Sequence, residues 1–170
     1  MQGSALVLDA LSRVQEDLHQ RVKELTPEEL IRPPHPPIGW LAWHLTRVQD
    51  SALSGLMGQE QLWISQGWHN RFHLPPDPKD FGPANTATPE QIAAFRAPDA
   101  HALLDYHDAV LERTKGYLAR LSDQDLDRVL NEPKFQPRPT VGVRLVSVLF
   151  NSIRRVAQIE YLVHLRRHGG

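Results

Sequence analysis

Apolar residues three and four positions apart recur in four separate stretches of the chain, and only a helix with one long dry face suits that spacing. Val7, Leu11, Val14, Leu18, Val22 and Leu25 form the first such stripe, over Ala5–Leu25. The second runs through Ile38, Leu41, Leu45, Val48, Ala52 and Leu56, and is widened by Trp40, Trp43 and His44; Gly55 and Gly58 mark its end. Thr46, Arg47, Gln49 and Asp50 are left as its expected polar face. The third, Pro98 to Leu121, carries two stripes side by side, one of Leu104, His107, Leu111, Thr114, Leu118 and Leu121 and one of Leu103, Val110 and Tyr117. The fourth, Thr140 to about Arg167, turns Val141, Leu145, Val148, Leu149, Ser152, Val156, Ile159 and Leu162 inward. Four such faces with no alternating strand between them predict an all-α four-helix bundle. A chain of 170 residues is the size of one domain, and residues 1–170 are read as one.

The joints between these helices are also informative. Thr26-Pro27-Glu28-Glu29 has the pattern of a capping box with proline at the first helical position. Pro33, Pro34, Pro36 and Pro37 then forbid a long helix and set where the second one begins. About forty residues separate Gly58 from Pro98, long for a connection inside a compact bundle. Trp63, Ile64, Trp68, Phe72, Leu74, Phe81 and Phe95 are too many large apolar groups for a solvated linker, so this stretch is expected to cover one end of the bundle as a lid. Within it Thr88-Pro89-Glu90-Gln91 predicts a second capped, short helix.

Charge and composition narrow the function classes. A net charge of −1 gives no field for binding a polyanion, so nucleic acid is not an expected partner and a small molecule is. The absence of cysteine removes disulfides, thiolate nucleophiles and Cys-based zinc sites. The first residues lack the basic and apolar regions of a signal peptide, and no apolar run approaches the ~20 residues of a membrane span. A soluble, cytoplasmic protein with no membrane partner is therefore expected. No Gly-rich phosphate loop or serine elbow is present.

The segment Ile38–Arg47 (I-G-W-L-A-W-H-L-T-R), the later Trp63, Gly67, Trp68 and Phe72, the run Thr140–Leu149 and the Gln158–Leu162 segment together resemble the DinB/YfiT-like superfamily, in particular the branch related to mycothiol-dependent maleylpyruvate isomerase. The likeness extends over nearly the whole chain, in order. It implies a four-helix bundle holding zinc or nickel through three histidines, one on the second long helix and a His-x3-His pair on the fourth, just before a glutamine. It also implies relatives that transfer groups to or from low-molecular-weight thiols such as mycothiol or bacillithiol. His44 matches the first metal ligand. Counted back from Gln158, the pair falls on Asn151 and Arg155, and a guanidinium has five donors, no lone pair and a permanent charge. With at most His44 and a weak amide oxygen, the three ligands of a catalytic zinc site are not reached, and no cofactor is expected.

The candidate ligand-binding residues are thus His44, Asn151, Arg155, Trp40, Trp43 and Gln158, with no catalytic residue assigned; His44 is the metal ligand if a metal is held. Each has a plainer reading. His44 is equally a hydrogen-bonded core histidine, Arg155 a partner for a carboxylate such as Asp50 or Glu160, and the four tryptophans a core rather than a pocket wall. His69/His73 and His164/His168 have the i,i+4 spacing of a helical chelate but lack a third ligand, and His107 sits on a core stripe. Three functions follow: a bundle with a degenerate metal site that binds a small ligand, an anion above all; a metal-dependent thiol S-transferase; or a structural module whose partner is a second copy of itself, a homodimer.

Overall fold

The computed structural model describes residues 2–34, 36–80 and 88–168. Its four long helices are α1 (Gly3–Val22), α3 (Ile38–Met57), α7 (Ala100–Leu118) and α9 (Val141–His168). α1 and α3 each pack against both α7 and α9, so the long helices form a four-cornered bundle. Short helices occupy the connections: α2 (Pro27–Ile31), α4 (Leu62–Ser65), α5 (Trp68–Arg71), α6 (Pro89–Ala94) and α8 (Asp123–Leu126). Among the described residues there is no strand, only an isolated antiparallel bridge between Val129 and Thr140 just before α9. The all-α bundle expected from the apolar spacing is therefore the fold.

The local signals explain the corners. Thr26 accepts a hydrogen bond from the Glu29 N–H (3.3 Å) while the Glu29 carboxylate accepts from the Thr26 N–H (2.9 Å), a reciprocal cap that starts α2. Thr88 and Gln91 repeat it at the start of α6. Beyond the end of α7, Ser122 with Asp125 makes a third such box and opens α8. α3 stops at Gly58, whose φ of 64° is the left-handed conformation that glycine adopts without steric cost. α1 is shorter than its stripe suggests. It ends at Val22, and Leu25 reaches the core from a turn closed by the Leu25 N–H on the Val22 carbonyl at 3.0 Å.

The core has two parts. One, at the end covered by the connection after α3, joins Leu18, Trp40, Trp43, Trp63, Phe72, Phe95, Tyr106 and Ile159. The other joins Leu11, Leu53, Leu111, Leu118, Val141 and Leu145. The described part of the connection covers this end, as expected: Trp63, Phe72 and Phe95 are buried in the first part, and Ile64, Trp68 and Leu74 pack against it. Phe81 lies outside the described residues.

Gly39, in the first turn of α3, sits where α2 crosses. A Cβ added there would stand 2.9 Å from the Leu30 carbonyl oxygen and 3.3 Å from the Ala97 Cβ. Backbone cannot step aside as a flexible side chain can, so Gly39→Ala is expected to cost roughly 1–3 kcal/mol. Urea denaturation measures this, and an unchanged midpoint would show that the two helices have room to separate.

Candidate functional site

α3 carries most of the chemistry of the covered end, and every residue from Ile38 to Arg47 in it is buried. Trp40, Trp43 and His44 are each 2–3% exposed, and the His44 ring stacks on the Trp40 indole with centroids 4.6 Å apart and planes 9° from parallel. One turn separates these two residues, the spacing at which helix side chains meet. Trp43 faces Phe95 at 5.0 Å and Trp63 at 6.1 Å. Its indole N–H is buried without a hydrogen-bond partner. Trp63 is the hub of the aromatic cluster, in contact with Phe72 at 5.5 Å and Tyr106 at 5.6 Å; Trp68 rests on Tyr106 at 5.3 Å.

The expected polar face of α3 does not exist. Thr46, Arg47, Gln49 and Asp50 are all 0% exposed, because α7 and the connection close over the side that the stripe would have left to solvent. Most of their polar atoms are matched instead, the buried Gln49 Oε1 being without a partner. Asp50 accepts from the backbone N–H groups of Leu62 (3.0 Å) and Trp63 (2.9 Å), from the Tyr106 hydroxyl (2.7 Å) and from the Arg113 guanidinium (2.6 Å). Arg47 donates to the carbonyls of Asp77 (3.1 Å) and Asp80 (3.2 Å) and to the Gln61 amide oxygen (2.7 Å), and its guanidinium lies 4.5 Å from the centre of the Trp63 ring. Gln49 donates to Thr114, and Thr46 bonds to the Nδ1 of His107 at 3.2 Å. These residues fasten the connection and α7 to α3. Tyr106 and Arg113 stand two turns apart on α7, and nothing in the sequence singles them out as partners of a carboxylate on another helix.

α9 packs against α3 and brings the other predicted residues to the bundle. Arg155 is 8% exposed, Asn151 half-buried and Gln158 exposed. Arg155 Nη1 donates to the Gln158 amide oxygen at 2.9 Å, whereas its Nε is buried without a partner; so is the Asn151 Nδ2. Neither expected carboxylate is the counter-charge. Asp50 is taken by Arg113, and Glu160 accepts from Arg21 at 2.6 Å. Burial, and after it the neighbouring Arg154, push the Arg155 guanidinium down from its ordinary value.

The remaining histidines fall into place. His107 is 0% exposed, and burial lowers it to about 4, so it is neutral in the core at physiological pH. The helical spacing expected for His69 and His73 is not realised, since α5 ends at Arg71 and His73 has a φ of 54°. His164 lies on α9, as does the backbone of His168. Among the described residues no group of three or more His, Cys, Asp or Glu side chains could hold a metal ion. The chemistry of the residue types agrees, because at the position of Arg155 a cation would meet a fixed positive charge where it needs a lone pair. These residues do not fit a divalent metal.

No helix among the described residues is long and apolar enough to cross a membrane. No curated protein matches the chain. A crystal structure of a conserved protein from Enterococcus faecalis superposes with a TM-score of 0.87, at 29% identity and over 97% of each chain. The family model of the DinB superfamily matches residues 10–159. The apolar register, the capped corners, the buried histidine of α3 and these two likenesses lead to one assignment: the chain belongs to the DinB superfamily.

Proposed function

We propose that this protein binds a small anion, a carboxylate or phosphate, against the inward face of α9, and that it does so without a metal centre. The observation that carries the reading is the state of Arg155: a cation only 8% exposed, with an unpartnered Nε and, among the described residues, no carboxylate beside it. Burying a charge is costly unless an opposite charge or several hydrogen bonds offset it. One bond to Gln158 does not supply that, and an anion would. Asn151, one turn earlier, adds a second buried donor, and Trp40, Trp43 and His44 supply aromatic surface on the facing helix.

Isothermal titration calorimetry with acetate, benzoate and inorganic phosphate tests the reading. At least one is expected to bind, and Arg155→Met to weaken it ten-fold or more, since a charge-assisted hydrogen bond contributes about 1.5–3 kcal/mol. Binding of none of the three, or equal binding to the Met variant, overturns the proposal. The competing assignment, a thiol S-transferase using zinc or nickel, draws its support from His44 at the family's first ligand position. Protein purified without a metal column separates the two. About one equivalent of zinc or nickel, abolished by His44→Ala, would replace anion binding with metal chemistry.

A further inference from the structure

The helical faces that carry His44 and Arg155 continue toward the other end of the bundle. Arg144, Asn151 and Arg155 are spaced by seven and four residues and share one face of α9. His44, Val48, Ser51 and Gly55, spaced by four, three and four, share one face of α3. Val48, Ser51, Gly55 and Arg144 line a cleft of about 810 Å³ between α3, the start of α9 and the segment 128–134. Ala52, Leu56 and Leu130 add apolar surface to it, and Arg128, Lys134 and Arg144 set three cations against the one carboxylate of Glu132. Its outer wall is tied to the bundle: the Leu130 N–H bonds to the Pro139 carbonyl at 2.8 Å, and the Val141 N–H to that of Arg128 at 3.0 Å.

We propose that the ligand is a long molecule with a negative group at each end and an apolar middle, one end held by Arg155 and the other by Lys134 and Arg128 at the mouth of this cleft. The inference rests on the anion-binding reading of Arg155 and adds a second pole to it. Size favours such a ligand, because the cleft falls within the ~300–1,000 Å³ of pockets that enclose drug-sized molecules, far more than acetate or phosphate fills. Charge favours it as well. Arg144 is paired with Glu132, but the other two cations lack so close an acid. The Asp125 carboxyl is lowered first by its bonds to Ser122 and only last by Arg128. The Lys134 ammonium lies 5.0 Å from the centre of the Phe135 ring and is in no ion pair among the described residues. Length sets the spacing of the two charges. Eleven residues separate Arg144 from Arg155, about 16 Å of helix, so an anion whose two charges sit on neighbouring carbons reaches one pole alone. The apolar residues between the poles suit a methylene chain or rings rather than a third charge.

Calorimetric titration of the full chain with succinate, sebacate and dodecanedioate, and with the monocarboxylate decanoate, tests this. Dodecanedioate is expected to bind about ten-fold or more tightly than either succinate or decanoate, the scale of one added charge-assisted bond. Lys134→Glu with Arg128→Glu, both at exposed positions, is expected to leave the far-ultraviolet circular dichroism and acetate binding unchanged and to bring dodecanedioate down to the affinity of decanoate. Arg155→Met is expected to weaken the dicarboxylate too. The milder Lys134→Gln, which adds no negative charge, is expected to lower dodecanedioate affinity in the same direction. Affinity that does not rise with length, decanoate as tight as dodecanedioate, or dicarboxylate binding indifferent to the Lys134 and Arg128 variants or to Arg155→Met would each overturn the proposal. A flat length series with acetate or benzoate still bound through Arg155 removes the second pole and leaves the anion site standing, whereas no binding of any of these acids removes both.

Discussion

Asp50→Ala is expected to lower stability by about 3–5 kcal/mol, the scale on which breaking one partner of a buried ion pair operates. The reason lies in what the carboxylate serves. It is 0% exposed and accepts from two backbone N–H groups, a tyrosine hydroxyl and Arg113, and Arg47 stands 3.8 Å from it. Alanine would leave all of these donors desolvated and facing a void. Asp50→Asn keeps the volume and an oxygen acceptor but sets an amide N–H₂ against donors, so an intermediate loss is expected. Urea unfolding at neutral pH gives both numbers. A loss below 1 kcal/mol for the alanine variant would mean that water enters and takes over the carboxylate's bonds.

The second large effect is a pH dependence. His107 has an ordinary value of 6.5 and is lowered to about 4 by burial, against a smaller opposing pull from Asp108. As pH falls below 6.5 the unfolded chain takes up a proton at this position and the folded chain does not, until pH nears 4. Stability therefore declines across that interval and is fully retained above it. A difference of 2.5 units amounts to about 3 kcal/mol at its limit, an order-of-magnitude figure. His107→Leu removes the titration at some constant cost in the lost Thr46 bond. The urea midpoint of the variant should then fall less steeply between pH 6.5 and 4.5 than that of the natural chain. Parallel pH profiles would assign the acid sensitivity to other groups.

What the sequence discloses and what it hides divide along a physical line. The four long helices, their order and two of the three capping boxes were legible because each is written in residues within a turn or two of one another. The burial of Thr46, Arg47, Gln49 and Asp50 was not. A polar quartet on a helix looks solvent-facing until the partners from positions 61–80 and 106–114 are known, and those contacts span up to 65 residues. At the candidate site, the mismatch of Arg155 with a metal could be argued from its chemistry alone. Its missing counter-charge could not, because Asp50 and Glu160 are both suitably placed in sequence and both are taken elsewhere.

The start of α4 has a consequence for how the molecule assembles. Its N-cap residue, Gln61, makes no side-chain cap, and the first helical N–H groups bond to Asp50 of α3. A four-residue helix cannot nucleate by itself. Asp50, moreover, is desolvated and neutralised only once α7 has brought Tyr106 and Arg113 into place. This helix therefore owes its stability to contacts between the long helices rather than to its own sequence, and any change that loosens α7 from α3 is expected to loosen the start of the covering segment as well.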